Sequence, residues 1–434
     1  MPKKLKISII GAGSSYTPEF VYNVIKFYKN VPVTELMLID LENNEKHLKT
    51  IYDFSKQMLD KAKLKINLTY STNRKVALVD SHYVVIQIRV GKMESRLYDE
   101  TLPAEYGLLG HETFGIGGLF NALRTVPVIF DIIEDVKDVC PQAWVLNVTN
   151  PTGIISEAIF RYSEFDRFIG VCSDPVQITN DLAEALGAPK EEIIPYFAGI
   201  NHLSFVTNLY WNHKDWLPKI LKNDEMLQKF KYDKTYLKNL ETYPHIDFDY
   251  YINYDEILAD YLNDIKNGKI RANEVMKVEK TLFDHYSNLA NDYDPELMKL
   301  RNGKDYSLQC LDIISGIHNN SKEYMVLDTI NRGHITDLSE DCAIEITCRI
   351  TDRGPLPVHI GRLPLQIRGV IQHVKSYEEL LVDAIYEKNI NKALMAFQNH
   401  PHTTSFKQTK KAFDALYEKN KSHLGYYGEY KKWN

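Results

Sequence analysis

Short runs of β-branched and aliphatic residues alternate with longer amphipathic stretches through the first half of the chain. The amphipathic stretches include Thr17–Lys29 and Asn121–Val136, both with helical spacing. This alternation predicts a doubly wound parallel sheet with right-handed crossovers. The runs predicted as its strands are Lys6–Ile10, Glu35–Ile39, Ile66–Tyr70, Tyr83–Ile88, Ala143–Asn147 and Phe168–Cys172.

The pattern changes after about residue 201. A run rich in Tyr, Asp and Lys covers residues 231–267, and helical spacing then extends over Arg271–Tyr286. Strands are predicted at Tyr324–Leu327 and Ala343–Ile350, followed by a long helical part over Gln366–Tyr417. The predicted fold class is therefore α/β, with a Rossmann-like domain over residues 1–200 and a mixed α+β domain over residues 201–434.

Charge and cysteine content narrow the possible functions. The net charge of −6 leaves no overall basic field to hold nucleic acid or an anionic membrane. No run approaches the roughly eighteen apolar residues needed to span a bilayer, and the first apolar run breaks at Gly11 without a signal-peptide cleavage site. Five cysteines without paired CxxC spacing argue against a disulfide framework. These features predict a cytoplasmic protein that acts on a small molecule.

The segment GAGSSYTPE lies between the first predicted strand and the first predicted helix. Gly11 and Gly13 match the start of a dinucleotide fingerprint, while Tyr16 stands where its third glycine would be. Asp40 ends the next predicted strand, where a carboxylate accepts hydrogen bonds from an adenosine ribose and favours NAD+ over a 2′-phosphorylated cofactor. The alternative is a glycine turn with a surface aspartate. The strand, the helix and the spaced aspartate together favour dinucleotide binding.

A cysteine and a histidine form a candidate metal pair. Cys172 ends a predicted strand in IGVCSDP, and His202 follows thirty residues later in GINHLS. A thiolate and an imidazole can bind a divalent transition metal and leave positions open for the hydroxyls of a substrate. Taken alone, however, a buried cysteine and a capping histidine are more common than a two-residue metal site.

Three further residues carry groups that bind anions or sugar hydroxyls. They are Arg96 in MESRLYDE, Asn150 in NVTNPTG and Arg271 in KIRANEV. An arginine fork suits phosphate oxygens, and Asn150 follows a predicted strand on the ligand side of the sheet. Each of them taken alone is presumed to be an ordinary surface residue.

The segment IDFDYYINYDEI is rich in tyrosine. Without other information it is interpreted as an aromatic helix face packed on the first domain. A functional interpretation requires one tyrosine whose pKa is lowered by a cation, so that a phenolate can take a proton. The residues alone do not choose among Tyr250, Tyr251 and Tyr254.

The motifs taken together resemble glycoside hydrolase family 4, the NAD- and metal-dependent glycosidases. The resemblance runs from about Ile7 to His400 in family order. It implies an architecture like that of lactate and malate dehydrogenases, NAD+ and a divalent cation (usually Mn2+) as cofactors, and a homo-oligomer of two or four chains. The motifs that carry it are GAGSSYTPE, MESRLYDETLPAEYGLLGHETFGIGG, NVTNPTG, CSDP, GINHLS and RANEVMKVEKTLFDHY.

The resemblance also implies roles for single residues. Cys172 and His202 match the metal ligands of the family, and Tyr251 is the best match to its catalytic base, with Tyr254 as the alternative. The side chains of Ser14 and Ser15 are expected near the cofactor phosphates or the sugar. The positions expected to hold the sugar phosphate or its hydroxyls are Arg96, Asn150 and Arg271.

The resemblance is closer to the 6-phospho-β-glucosidases of the family than to its 6-phospho-α-glucosidases. GSSYTPE, NHLSF and VLDTINRGHITDL all favour the β-type. One motif departs from both, because CSDP stands where the α-type has CDMP and the β-type has CNxP. Ser173 is not the carboxylic acid of the α-type motif, and Asp174 lies one position away, so no acid role is transferred to it.

The implied reaction is redox-neutral. The sugar is oxidised at C3, Tyr251 removes the acidified C2 proton, the aglycone leaves C1, and water addition and reduction complete the cycle. The expected substrate is a phosphorylated β-glucoside. Other family activities (6-phospho-α-glucosidase, galactosidase or glucuronidase), an NAD-dependent hydroxy-acid dehydrogenase and a non-catalytic nucleotide sensor are the alternatives.

Overall fold

The six strands predicted in the first half form the parallel part of one mixed sheet. In the computed structural model, which describes residues 4–301, 306–403, 405–428 and 430, these strands follow the order β3-β2-β1-β4-β5-β6. This is the strand order of dinucleotide-binding folds. The bounds are β1 Lys6–Ile10, β2 Glu35–Ile39, β3 Asn67–Ser71, β4 Tyr83–Ile86, β5 Trp144–Asn147 and β6 Phe168–Gly170.

The sheet continues without a break into an antiparallel part. Asp328 in β11 pairs with Gly170 in β6, and the order then runs β11-β12-β7-β8-β10, with β13 paired to β12 and β9 to β8. The described residues thus form one thirteen-stranded sheet. The bounds are β7 Ile193–Ile200, β8 Leu203–Trp211, β9 Lys214–Asp215, β10 Tyr243–Pro244, β11 Tyr324–Ile330, β12 Ala343–Thr351 and β13 Gly354–Pro357.

The expected division at residue 200 falls in the tight turn between β7 and β8. Asn201 and His202 form this turn, and His202 has a φ of 61°. The hairpin was not predicted from the sequence pattern, because its strands are apolar and no glycine or proline marks the turn. The division into two domains remains a prediction, although β11, β12, β7 and β8 all lie on the antiparallel side of the sheet.

Helices connect the strands and pack against the sheet. The predicted helical part over residues 366–417 consists of three helices, because Asn389 caps a new helix by accepting from the Lys392 N–H and Pro401 follows the end of that helix. The α-helices are α1 Thr17–Phe27, α2 Glu45–Lys61, α3 Arg74–Leu78, α4 Lys92–Thr101, α5 Gly115–Val139, α6 Thr152–Tyr162, α7 Asp174–Leu186, α8 Leu217–Leu221, α9 Asp224–Leu227, α10 Lys234–Leu240, α11 Asp249–Ile252, α12 Tyr254–Lys266, α13 Arg271–Tyr286, α14 Pro295–Lys299, α15 Tyr306–Asn319, α16 Leu365–Tyr386, α17 Ile390–Gln398 and α18 Phe406–Asn420.

Helix α5 is the most apolar long helix. Its 25 residues include an 18-residue window with a mean hydropathy of 1.5, enough by length and composition to cross a membrane. However, 78% of that window is buried inside the protein. Side chains such as Leu119, Phe120 and Ile129 are fully covered, so the helix packs as part of the core. The search for continuous apolar runs in the sequence missed this segment, because polar residues interrupt its apolar positions.

Candidate functional site

The turn after β1 requires glycine at two positions. Gly11 has a φ of +83°, and a Cβ there would lie 2.5 Å from the carbonyl oxygen of Gln87. A Cβ on Gly13 would lie 2.7 Å from Oδ2 of Asp40. Both distances are too short for a side chain, so the backbone of β1 approaches β2 and β4 closely here. The strand, turn and helix expected of a dinucleotide site are therefore present.

Asp40 lies against this turn, at the carboxyl end of β2. Its Oδ2 accepts from the Gly13 N–H at 2.7 Å and from Nδ2 of Asn44 at 3.1 Å. The carboxylate therefore faces the space beyond the strand ends, where such sheets bind ligands. The neighbouring Leu41 is 65% exposed, which leaves an apolar side chain open beside the carboxylate.

The two serines of the turn have different surroundings. Ser14 is half-buried, and its Oγ accepts from the Tyr16 N–H at 3.3 Å. Ser15 is buried, its carbonyl accepts from the Tyr286 hydroxyl at 3.2 Å, and its own hydroxyl has no hydrogen-bond partner among the described residues. Only Ser14 is thus open to a ligand without local rearrangement.

The sheet brings Cys172 and His202 together. Cys172 lies two residues beyond the end of β6, and His202 lies in the β7–β8 turn. The distance between Sγ and Nε2 is 3.9 Å. One ion can contact both atoms, because metal bonds to sulfur and nitrogen of about 2.3 and 2.1 Å span up to about 4.4 Å. A soft thiolate and an imidazole also suit a divalent transition metal.

Carboxylates and a second histidine surround this pair. One ligand atom from each of Asp174, His202, His245 and Asp247 lies within 4.8 Å of the others. Asp247 and His245 were not singled out from the sequence, because they lie more than forty residues beyond His202 and come close only when β10 pairs with β8. In the sequence, the only local indication is that His245 and Asp247, both residue types that bind metals, are two positions apart in PHIDF.

The arginine expected to bind the substrate is not an ordinary surface residue. Arg96 is buried and forms ion pairs with Glu100 at 2.5 Å and with Glu112 at 3.2 Å. Arg89 also pairs with Glu112. Two guanidinium groups thus share one carboxylate, which leaves several of their ten N–H donors available to an anion.

Arg271 and Asn150 lie beside the same group. Oε2 of Glu100 accepts from the Ala272 N–H at 2.7 Å, which places the first turn of α13, and so Arg271, next to Arg96. Nδ2 of Asn121 donates to the carbonyl of Glu112 at 2.9 Å and to that of Asn150 at 3.1 Å. The backbones of the three positions expected to hold the sugar phosphate or its hydroxyls therefore lie near Glu100 and Glu112, while the half-buried Arg271 guanidinium itself pairs with Glu274 at 3.2 Å.

Glu112 is expected to stabilise the fold in a pH-dependent way. Burial opposes its ionisation, but Arg89 and Arg96 outweigh burial and lower its pKa to about 2 from an ordinary value of 4.5. The stabilisation is therefore complete above pH 4.5 and is lost as the pH falls through 2. Glu112→Gln should lower the free energy of unfolding by about 3 kcal/mol at pH 7 and by less at pH 3 in urea denaturation. Exposed Glu105→Gln is the control, and an equal loss at both pH values would contradict the assignment.

The segment before helix α5 links the arginines to the metal pair. Glu112 binds the arginines, while the Phe114 ring lies 6.1 Å from the His202 ring and 4.6 Å from the Tyr250 ring, centroid to centroid. On the other side, the Arg301 guanidinium lies 4.7 Å above the ring of Tyr16 in the glycine turn, and the Arg301 carbonyl accepts from Arg271 at 3.0 Å. The glycine turn, the arginines and the metal pair therefore share one end of the sheet.

The candidate base tyrosines, Tyr251 in α11 and Tyr254 in α12, have different electrostatic surroundings. Burial raises the pKa of Tyr251 above its usual value, with Glu378 and Asp247 adding to the increase and His202 opposing it. The pKa of Tyr254 is also raised by burial, but the groups that act on it are the Leu109 backbone and Asp255. Tyr251 therefore lies in the electrostatic field of His202 and Asp247, and a phenolate there requires a cation nearby.

Comparisons with known proteins agree with this arrangement. The family 4 glycosyl hydrolase model matches residues 6–188, and the family 4 glycosyl hydrolase C-terminal domain matches residues 197–403. A Bacillus subtilis relative named "Probable 6-phospho-beta-glucosidase" is 35% identical and covers 98% of each chain. The 6-phospho-β-glucosidase of Escherichia coli is 34% identical and covers 92% of each. A phospho-α-glucosidase of Clostridium acetobutylicum is 29% identical over 98% of this chain and 99% of its own.

Solved structures confirm the fold. The 6-phospho-β-glucosidase of Thermotoga maritima, solved with manganese, NAD+ and glucose 6-phosphate, superposes with a TM-score of 0.88 at 29% identity over 96% of this chain and 99% of its own. A malate dehydrogenase of Plasmodium falciparum superposes with a TM-score of 0.53 at 14% identity over 91% and 99% of the two chains, so it shows the fold alone. The predicted dehydrogenase-like α/β fold and the resemblance are both confirmed. The chain belongs to the family 4 glycosyl hydrolases.

Proposed function

We propose that this chain hydrolyses 6-phospho-β-glucosides to glucose 6-phosphate and the aglycone, with NAD+ and a divalent cation such as Mn2+. The observation that carries the proposal is the 3.9 Å approach of Cys172 and His202 at the sheet end that also holds the glycine turn and the buried Arg96. Relatives named 6-phospho-β-glucosidases at 34–35% identity support the β anomer. The cytoplasmic location and the assembly of two or four chains remain predictions.

The residues of the glycine turn fit a dinucleotide. Gly11 and Gly13 let the backbone approach a pyrophosphate, and Ser14 presents its hydroxyl at the turn. The carboxylate of Asp40 is placed to accept from ribose hydroxyls at the end of β2. The buried hydroxyl of Ser15 has no other partner among the described side chains, and it would reach the same ligand only after a local rearrangement of the turn.

Arg96, Asn150 and Arg271 would bind the phosphate and hydroxyls of the sugar. Charge-assisted hydrogen bonds at C6 hold the sugar at a point remote from the reacting carbons. The binding energy gained there orients C2 and C3 toward Cys172, His202 and Tyr251. Arg96 is held in place by two carboxylates before the substrate arrives, so little side-chain entropy is lost on binding.

The chemistry differs from that of glycosidases that use two carboxylates. When bound, NAD+ supplies a hydride acceptor for C3, and the cation held by Cys172 and His202 supplies Lewis-acid stabilisation for the charge on the sugar oxygens. Oxidation at C3 makes the C2 proton acidic, and Tyr251 removes it. The C1–O bond then breaks and the aglycone leaves, its oxygen taking a proton from solvent. Water adds at C1 and releases a proton to solvent, Tyr251 returns the proton to C2, and reduction at C3 restores the hydroxyl.

The proposal is tested by an anomer assay of the purified protein. With NAD+ and Mn2+, p-nitrophenyl 6-phospho-β-glucoside should be hydrolysed, and the α anomer and the unphosphorylated β-glucoside should react at least about tenfold more slowly. Because the cycle regenerates NAD+, the NADH absorbance should stay flat during turnover. Steady NADH accumulation would indicate a dehydrogenase, and activity on the unphosphorylated glucoside alone would contradict the substrate class.

The second candidate function is hydrolysis of 6-phospho-α-glucosides, the α anomers of the same phosphorylated substrates. CSDP differs from the β-type motif, and the Asp174 carboxylate lies 3.5 Å from Nδ1 of the candidate metal ligand His202. A carboxyl group is available there as in the α-type, although one position displaced. A faster reaction of the α anomer in the same assay would replace the β assignment and keep the family mechanism.

A further inference from the structure

Asp247 lies on the far side of the His202 ring from Cys172. Its Oδ2 is 2.5 Å from Nδ1 of His202, whereas Nε2 of the same ring is 3.9 Å from Sγ of Cys172. We propose that Asp247 is a positioning residue, which holds His202 in the tautomer and orientation that bind the metal. This inference rests on the metal site of the proposed function, and it assigns a role to a residue outside the family motifs quoted above.

The hydrogen bond at Nδ1 of His202 determines which ring nitrogen carries the proton. An ionised carboxylate only accepts, so Nδ1 of His202 must donate a proton to Asp247. A neutral imidazole with its proton on Nδ1 has its lone pair on Nε2, the atom that faces Cys172. Carboxylates that fix a metal-binding histidine in this way also raise its basicity as a ligand.

The position of Asp247 is itself fixed from the strand that follows His202. The Asp247 N–H donates to Nδ1 of His245 at 3.1 Å, and the His245 N–H donates to the carbonyl of Ser204 in β8 at 2.9 Å. The carbonyl of His245 also accepts from the Tyr232 hydroxyl at 2.6 Å. His202 directly precedes β8 and lies two residues before Ser204, so the imidazole and the carboxylate are both anchored to the start of this strand.

His245 is an unsuitable metal ligand in this arrangement. Because Nδ1 of its fully buried ring accepts a hydrogen bond, its proton is on Nε2, which lies 3.7 Å from Oδ2 of Asp174 and has no hydrogen-bond partner in the described part of the chain. Asp174 is 3.5 Å from Nδ1 of His202, a full ångström farther than Asp247. Asp247 is therefore the carboxylate that sets the His202 tautomer.

The first measurement is the Mn2+ affinity of the full-length protein without substrate. Free Mn2+ is quantified from its electron paramagnetic resonance signal. Asp247→Ala should weaken binding about 10- to 100-fold, the usual effect of losing such a carboxylate. Asp249→Ala is the matched control, because Asp249 pairs with Lys231 instead of His202. The Mn2+ affinity of this variant should stay within about twofold of that of the unsubstituted protein. Unchanged affinity in Asp247→Ala would overturn the proposal.

The second measurement reports the tautomer directly. Long-range 15N–1H NMR of 15N-histidine-labelled, metal-free protein, recorded at alkaline pH so that the ring is neutral, should show the Nδ1–H form of His202, assigned by its loss in His202→Gln. Asp247→Ala should shift that ring to a mixture of forms, while Asp247→Asn, whose Oδ1 can still accept, should keep the Nδ1–H form and recover part of the Mn2+ affinity. An unchanged His202 spectrum in Asp247→Ala would overturn the proposal.

The failure of this inference is distinguishable from failure of the metal site itself. If Cys172→Ser binds Mn2+ normally and Asp247→Ala does not bind it, the ion lies among Asp174, His245 and Asp247. That result would reject both the positioning role and the Cys172 site. If Cys172→Ser loses Mn2+ while Asp247→Ala binds normally, the metal site stands and only the positioning role is rejected.

Discussion

Replacing Cys172 with serine is expected to reduce Mn2+-dependent turnover by about 10³-fold or more, equivalent to about 4 kcal/mol of transition-state stabilisation. The sulfur and Nε2 of His202 face each other at 3.9 Å, so loss of the thiolate leaves the cation with one protein ligand from this pair. A serine hydroxyl is a poor substitute, because it stays protonated near neutral pH. NAD+ affinity should remain within about twofold, since Gly11 and Asp40 directly follow β1 and β2, which β4 and β5 separate from β6 and Cys172.

Cys140→Ser is the matched control for this variant. Cys140 is 6% exposed and Cys172 is 7% exposed, but Cys140 caps the end of α5, away from His202. Turnover, Mn2+ binding and NAD+ binding are measured on both variants. Only Cys172→Ser should lose turnover and Mn2+ binding. Full activity in that variant would remove Cys172 from the metal site.

The parallel half of the fold was predictable because each of its strands is a short apolar run bounded by polar turns. Strand β1, Lys6–Ile10, was predicted to the residue, whereas β4 ends two residues before the predicted Ile88 because of a long-range contact. The Ile88 N–H donates to Oγ1 of Thr149 at 2.9 Å instead of continuing the strand. That hydrogen bond joins segments sixty-one residues apart and leaves no local pattern.

The antiparallel half was harder to predict for a physical reason. The β7–β8 hairpin turns at Asn201 and His202, and His202 adopts a left-handed backbone conformation that sequence patterns associate with glycine or asparagine. The change in residue composition near residue 201 predicts a domain boundary there, and the strands on both sides of that point belong to one sheet. A turn that places histidine in a left-handed backbone conformation is therefore hidden from propensity arguments.

The candidate site could be predicted only where single residues carry family motifs. Cys172, His202 and Arg96 came from the resemblance, because each taken alone was better explained as an ordinary buried or surface residue. Glu112 and Asp247 were not predicted, although they contact Arg96 and His202 directly. Their partners are sixteen and forty-five residues away in sequence, and the pairs form only after α4 packs on α5 and β10 pairs with β8.

Replacing Tyr251 with phenylalanine is expected to abolish exchange of the C2 proton with solvent and to lower turnover by about 10² to 10⁴, the usual contribution of a general base. The substitution removes only the hydroxyl, so the ring should keep its contact with His402, at 5.1 Å between centroids. The measurement is deuterium incorporation at C2 of glucose 6-phosphate formed in D2O, read by mass spectrometry. NAD+ and Mn2+ binding should be unchanged, because Tyr251 is assigned to neither site.

Tyr254→Phe and Tyr250→Phe are the controls that decide which tyrosine acts. Tyr254 also contacts His402, at 4.8 Å, but its pKa responds to the Leu109 backbone and Asp255 instead of His202. Exchange that persists in Tyr251→Phe and disappears in Tyr254→Phe would move the base to Tyr254. Because burial raises the pKa of Tyr251, its phenolate needs a cation nearby, so exchange in the original protein should also require Mn2+. Metal-independent exchange that still depends on the Tyr251 hydroxyl would contradict this account of how the base is activated.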